Sequence, residues 1–174
     1  TGAVLALAGV GTPGLLGRTS FSDSLWAYYS GLFGKRPRTA VGLQCLLGEY
    51  LDVDVRLESF VGEWLELPPD QRSCLGGDHG LGTGFCIGDR VWDVQSRMRL
   101  HLGPLAFDRY VELLPGTDAH RRTAEITAFY LGVELQCDVE LTVRAEERNT
   151  ARLGVTDHLA PRLGETAWLA PGDD

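Results

Sequence analysis

Residues 135–144 read Leu-Gln-Cys-Asp-Val-Glu-Leu-Thr-Val-Arg, and their alternation decides the fold class. Leu135, Cys137, Val139, Leu141 and Val143 fall on one parity, and Gln136, Asp138, Glu140, Thr142 and Arg144 on the other. A period of two is that of a β-strand with one dry face and one wet face. Val53, Val55 and Leu57 interleave with Asp54, Arg56 and Glu58 in the same way. So do Trp92, Val94, Met98, Leu100 and Leu102 with Asp93, Gln95, Arg97, Arg99 and His101. A doubly wound parallel sheet would show continuous apolar strands instead, so a wet face points to antiparallel pairing.

Between these strands the period changes to that of a helix. Leu25, Tyr28, Tyr29 and Leu32 form a stripe within 24–33. Thr39 is placed to cap a helix carrying Leu43, Leu46, Leu47, Tyr50 and Leu51. Phe107, Tyr110, Val111 and Leu114 mark a third helix over 105–114, stopped by Pro115-Gly116. Asp118 is expected to cap a fourth, with Ile126, Phe129 and Tyr130 facing inward and Gly132 ending it. The expected class is α+β: short helix pairs packed on antiparallel strands, with two long glycine-rich protruding loops. The chain divides into a helical region with a glycine-rich N-terminal segment (1–52), strands with a long loop at 68–91 (53–103), a helix pair with a return strand (104–146), and a second loop and tail (147–174).

The 174 residues suit one domain, and 44% hydrophobic with 23% charged residues is an ordinary globular composition. A net charge of −8 disfavours nucleic acid and anionic lipid as partners. Lys35 is the single lysine among sixteen basic residues. The apolar run 2–16 is broken by Gly9, Gly11, Pro13 and Gly14, so membrane insertion is not expected. The chain opens on Thr1 rather than methionine, from which a missing N-terminal part is expected. Cys45, Cys74, Cys86 and Cys137 form no CxxC and read as free, mostly buried thiols.

The two irregular stretches resemble each other. The first holds Leu81-Gly82, then Ile87-Gly88-Asp89-Arg90-Val91-Trp92; the second holds Leu153-Gly154, then Leu163-Gly164-Glu165-Thr166-Ala167-Trp168. Each has a Leu-Gly, a spacer, an aliphatic-Gly and a tryptophan four residues beyond that glycine. Loops this long in a compact domain are commonly functional, and tryptophan is an efficient interface residue. The candidate partner-binding set is Leu81, Gly82, Gly88, Arg90, Val91, Trp92, Leu153, Gly154, Leu163, Gly164, Trp168 and Leu169. The opposing interpretation is that each tryptophan plugs the end of its own sheet.

Motifs for chemistry are weak. Gly9-Val10-Gly11-Thr12-Pro13-Gly14 spells a dinucleotide fingerprint, the basis of an alternative reading as a nucleotide- or dinucleotide-binding enzyme domain. It lacks a second strand ending in an acid about 20 residues on. Cys74, Asp78, His79 and Cys86 match no zinc spacing, and no cofactor is expected. Exposed tryptophans and glycine-rich loops leave a small-molecule or carbohydrate-binding domain as a further class. No GxSxG or HExxH is present, so a non-enzyme is expected. Lys35, Arg36 and Arg38 are the one cationic cluster, placed to tie down carbonyl ends and acidic partners at a helix junction.

Four blocks in order carry a family resemblance. Residues 29–40 (YSGLFGKRPRTA) with Gly42-Leu43, residues 60–69 (FVGEWLELPP), residues 90–93 (RVWD) and residues 99–105 (RLHLGPL) resemble the TssG family, also called ImpH or VasB. Tyr110, Leu113-Leu114-Pro115-Gly116, Arg162-Leu163-Gly164 and Trp168-Leu169 continue the order. The resemblance covers about 5–169, as the C-terminal half of such a protein. It implies a structural baseplate subunit of the bacterial type VI secretion system, cytoplasmic at the inner-membrane-docked baseplate. The implied partners are TssF and TssK, with TssE and the VgrG spike in the wider assembly. It also implies two protruding segments that each dock a TssK trimer, for which the two Leu-Gly…Gly-x-x-x-Trp stretches are the candidates.

Overall fold

The computed structural model describes residues 2–12, 14–73, 86, 88–148, 150 and 162–169. Four helices come first: α1 (Gly2–Leu7), α2 (Ser24–Tyr28), α3 (Ser30–Gly34) and α4 (Ala40–Leu51). The stripe over 24–33 is thus two short helices rather than one, broken at Tyr29, whose backbone (φ −94°, ψ 18°) leaves the helical region. Trp26, on the first of the two, is buried. Its ring meets Phe21 at 5.0 Å, Phe33 at 4.8 Å and Phe129 at 4.3 Å, centroid to centroid.

Helix α4 begins where the sequence places it, with the Thr39 hydroxyl accepting from Gly42 N at 3.1 Å. Asp52 closes it in the left-handed region at φ 53°. Leu43, Leu46 and Leu47 are fully buried. Gly42 is required at the crossing with the last helix, since a Cβ there would overlap the Tyr130 hydroxyl. That hydroxyl donates to Thr39 O at 3.0 Å, fastening the two helices beside the cap.

Strands β1 (Val55–Ser59), β2 (Glu63–Glu66), β3 (Arg90–Asp93) and β4 (Arg97–Leu105) follow, then α5 (Phe107–Glu112), α6 (Asp118–Leu131) and β5 (Gln136–Val143). Two 3-10 turns, Pro69–Gln71 and Ala145–Glu147, complete the regular structure among the described residues. The expected strand around 92–102 is two strands, because the Asp93 carboxylate accepts from the backbone of Gln95 and Ser96 and turns the chain. The cap of α6 is Thr117, whose hydroxyl accepts from His120 N at 3.1 Å, rather than Asp118, which pairs with Arg121.

The α+β class holds, with a sheet that is mixed. In the three-stranded order β1-β4-β5, β4 pairs antiparallel with β1 (Leu57↔Leu100) and parallel with β5 (Leu100↔Val139). Alternation reports that one face is wet; it carries no information on strand direction. The α5–α6 crossover returns the chain to the end where β4 began, which makes β5 parallel. Leu100, Leu102, Leu105 and Val143 are buried in the core with α4, α5 and α6. On the wet face His101 lies 3.1 Å from Glu58 and 3.5 Å from Glu140, a row of polar contacts across three strands.

Candidate docking elements

β2 and β3 form a separate two-stranded ribbon with register Glu63↔Asp93, Trp64↔Trp92, Leu65↔Val91 and Glu66↔Arg90. It continues the β1–β4 pair past the first residue of β5: Ser59 opposes Met98, then Val61 N donates to Arg97 O at 3.1 Å. Phe60, at φ 64° and 73% exposed, makes the kink between the two parts. The ribbon is therefore a β-arm on the main sheet.

Its hydrogen-bonding phase fixes which side chains meet. Leu67 N donates to Asp89 O directly opposite, so the hydrogen-bonded pairs run through Leu65/Val91 and Glu63/Asp93. Trp64 and Trp92 are then a non-hydrogen-bonded pair, the closer of the two kinds. Their rings sit 5.3 Å apart, edge to face, while 62% and 55% exposed. The Trp92 ring lies on the backbone of Gly62, where any Cβ would overlap it. Glu66 and Arg90 share that face and pair at 3.1 Å. A solvated tryptophan pair on a short ribbon presents large apolar surface of the kind that interfaces use.

Among the described residues at the arm's far end, two contacts follow the Leu67–Asp89 pair. Arg72 Nε donates to Leu67 O at 2.7 Å, and Cys86 N donates to Ser73 Oγ at 2.9 Å. Gly88 is exposed with φ 102°. Arg90 and Val91, expected within the loop, belong to β3. Leu81 and Gly82 lie outside the described residues.

The second element has a different base. Thr150 and Trp168 form a parallel bridge. Trp168 is half-buried, with its ring 6.2 Å from Phe107 and 5.8 Å from Tyr110. Arg162 O accepts from the amides of Glu165, Thr166 and Ala167, and Tyr110 OH donates to Glu165 O at 2.6 Å. The turn is thus stapled to α5. Leu163 and Leu169 stand 97% and 92% exposed on either side of it, and Gly164 takes φ 80°. Leu153 and Gly154 lie outside the described residues. The two similar stretches therefore use tryptophan differently: Trp92 faces solvent, and Trp168 plugs the sheet end beside α5.

Sequence reasoning missed Trp64, because four-residue β2 shows too little alternation to be read alone. The available signal was Glu-Trp-Leu-Glu itself, whose period matches Arg-Val-Trp-Asp once the two are paired in reverse.

The remaining candidates resolve simply. The Gly9–Gly14 stretch follows α1 rather than a strand, which removes the context of the dinucleotide fingerprint. Gly11 instead packs on Ala6, where a Cβ would lie 2.7 Å from its Cα. Among the described residues no three of His, Cys, Asp or Glu are grouped to hold a metal, and no helix is long and apolar enough to cross a membrane. Cys74, Asp78 and His79 lie outside those residues. Cys45 is exposed on α4, contrary to the expectation of mostly buried thiols; it stands on the face opposite Leu43 and Leu47. Burial, then the charge of Asp138, pushes the Cys137 thiol up to about 11.

The basic cluster serves the helix junction. Arg38 Nη1 donates to Phe129 O at 2.5 Å and Tyr130 O at 2.7 Å, and Nη2 to Phe33 O at 3.3 Å. Arg36 Nη1 also donates to Phe33 O, at 3.2 Å. One guanidinium thus satisfies carbonyls at the ends of both α3 and α6.

The sequence matches the family model described as type VI secretion, TssG, over residues 1–170. No curated protein matches it. Among solved structures, a chain of the type VI secretion system TssK-TssF-TssG baseplate subcomplex, determined by cryo-electron microscopy, is similar with a TM-score of 0.79 at 23% identity. The match covers 99% of this chain and 72% of that one. A chain of the baseplate complex from the type VI secretion system has a TM-score of 0.59 at 23% identity, covering 97% of this chain and 49% of that one. These likenesses establish the fold, and the family match establishes kinship: the chain belongs to the type VI secretion TssG family.

Proposed function

We propose that this protein is a non-enzymatic structural subunit of a type VI secretion baseplate, joining TssF to TssK through two surface elements. The observation that carries it is the Trp64–Trp92 pair, exposed yet preassembled on a β-arm, in a chain with the fold of a TssK-TssF-TssG subcomplex subunit. The first element is the arm, carrying Gly88, Arg90, Val91 and Trp92 of the sequence-derived set and adding Trp64. The second is the turn at 162–169, where Leu163 and Leu169 supply the exposed apolar contacts and Trp168 holds the turn on the body.

Two elements binding two copies of one partner raise overall avidity without a new type of contact, provided both reach together. A cross-strand tryptophan pair suits this role because little conformational freedom is left to lose on binding. TssE and the VgrG spike join in the wider assembly, on the cytoplasmic side of the inner membrane. The test is capture of TssK by the Trp64→Ala, Trp92→Ala double variant. Loss of TssK with TssF retained supports the arm as the docking element; undiminished capture by the folded variant removes it.

A further inference from the structure

The geometry points to Arg97 as the positioning residue that fixes the direction of the β2–β3 arm relative to the body. Arg97 is the first residue of β4, at the kink where the main sheet passes into the arm. Its Nη1 donates to both carboxylate oxygens of Asp138 on β5, at 3.0 and 3.2 Å. Its Nη2 donates to Gln136 Oε1 at 2.9 Å and contacts Glu63 Oε2 at the start of β2. Its own carbonyl accepts from Val61 N, the bond that bridges the kink. One residue therefore ties the arm's first strand to the far edge of the main sheet, and no other ion pair among the described residues links arm to body.

Energetics favour orientation over stability as the role. Glu63 is the less exposed partner, at 17%, and its Oε1, like Arg97 Nε, has no partner in the structure. An ion pair with two orphaned polar atoms is a poor stabiliser, since apolar replacements of such pairs are often as stable or more so. A planar guanidinium with fixed donor directions is well suited to set an angle between strands. The need for a device is plain from the arm itself: a two-stranded ribbon has little stability of its own and would swing about the Phe60 kink. Held in place, it presents Trp64 and Trp92 in one direction; this consequence rests on the proposed docking role, whereas the orienting role does not.

Amide hydrogen exchange on the full chain tests it without any partner. Arg97→Met and Glu63→Gln are each expected to speed exchange at Val61 and Leu67 by about tenfold, the size of one charge-assisted hydrogen bond lost. Leu46 and Leu47 in α4 should keep their wild-type rates. Unchanged exchange at Val61, or equal acceleration at Leu46 and Leu47, would overturn the proposal, the latter by showing a general loss of stability. If the arm loosens as expected and TssK capture is unaffected, Arg97 still positions the arm and the docking role fails separately.

Discussion

Replacing Arg38 with methionine keeps most of the aliphatic stem and removes the guanidinium from the helix junction. Two short donations to Phe129 O and Tyr130 O are lost, with a longer one to Phe33 O. Hydrogen bonds from a charged donor are worth about 1.5–3 kcal/mol each. Arg38 is only half-buried, and water can reach carbonyls at a helix end, so the lower bound applies to the two short bonds. The guanidinium also lies 5.4 Å from the Phe129 ring and 5.5 Å from that of Tyr130, contacts worth about 0.5–1 kcal/mol where solvent has access. The two short bonds alone put the expected loss at no less than about 3 kcal/mol. With a urea slope of about 2 kcal/mol per molar, the midpoint falls by about 1.5 M, read by far-UV circular dichroism. Arg38→Lys should recover less than half, since one ammonium cannot span both carbonyls in a fixed fork. A shift under about 0.5 M for the methionine variant would refute the reasoning, because water would then be satisfying those carbonyls.

Trp168→Ala should cost about 2–3 kcal/mol by denaturant unfolding, since its ring packs on Phe107 and Tyr110. Trp92→Ala should cost under about 1 kcal/mol, the worth of an exposed cross-strand pair; equal costs would contradict the assignment of one tryptophan to solvent and the other to the body. Cys137 bears on pH. Its thiol is raised from an ordinary value of about 9 to about 11, so the contribution is whole below pH 9 and is lost as pH rises toward 11. Tyr110, raised chiefly by burial, adds a loss of the same sign. Melting temperatures between pH 8 and 11 should therefore fall less steeply for Cys137→Ser than for the wild type, and parallel curves would count against the buried thiol.

Local signals with their own chemistry were legible in the sequence. Thr39, the α4 stripe and the stop at Gly132 are encoded within a few residues, and each stands where the pattern puts it. The arginines at 36 and 38 were legible as carbonyl ties because a cationic cluster beside a helix stop has few other uses in an acidic chain. Direction and pairing were not legible. β5 shows the same alternation whether it runs parallel or antiparallel to β4, and only the crossover settles it. Trp64 and Trp92 meet through a register set 28 residues apart, which no local period reveals. The recurring glycine and tryptophan spacing singled out Trp92 and Trp168, yet it could not tell an exposed ring from one that closes a core, since that depends on Phe107 and Tyr110 arriving from α5.

The central claim is that the tryptophan arm is an interface rather than a structural ornament. It is tested most directly by measuring TssK affinity for the wild type and for the Trp64→Ala, Trp92→Ala variant, each checked for an unchanged helical spectrum and for bound TssF. Truncating two central aromatic contacts should weaken TssK binding by at least about tenfold, with TssF association intact. Equal TssK affinity in the two proteins would contradict the account.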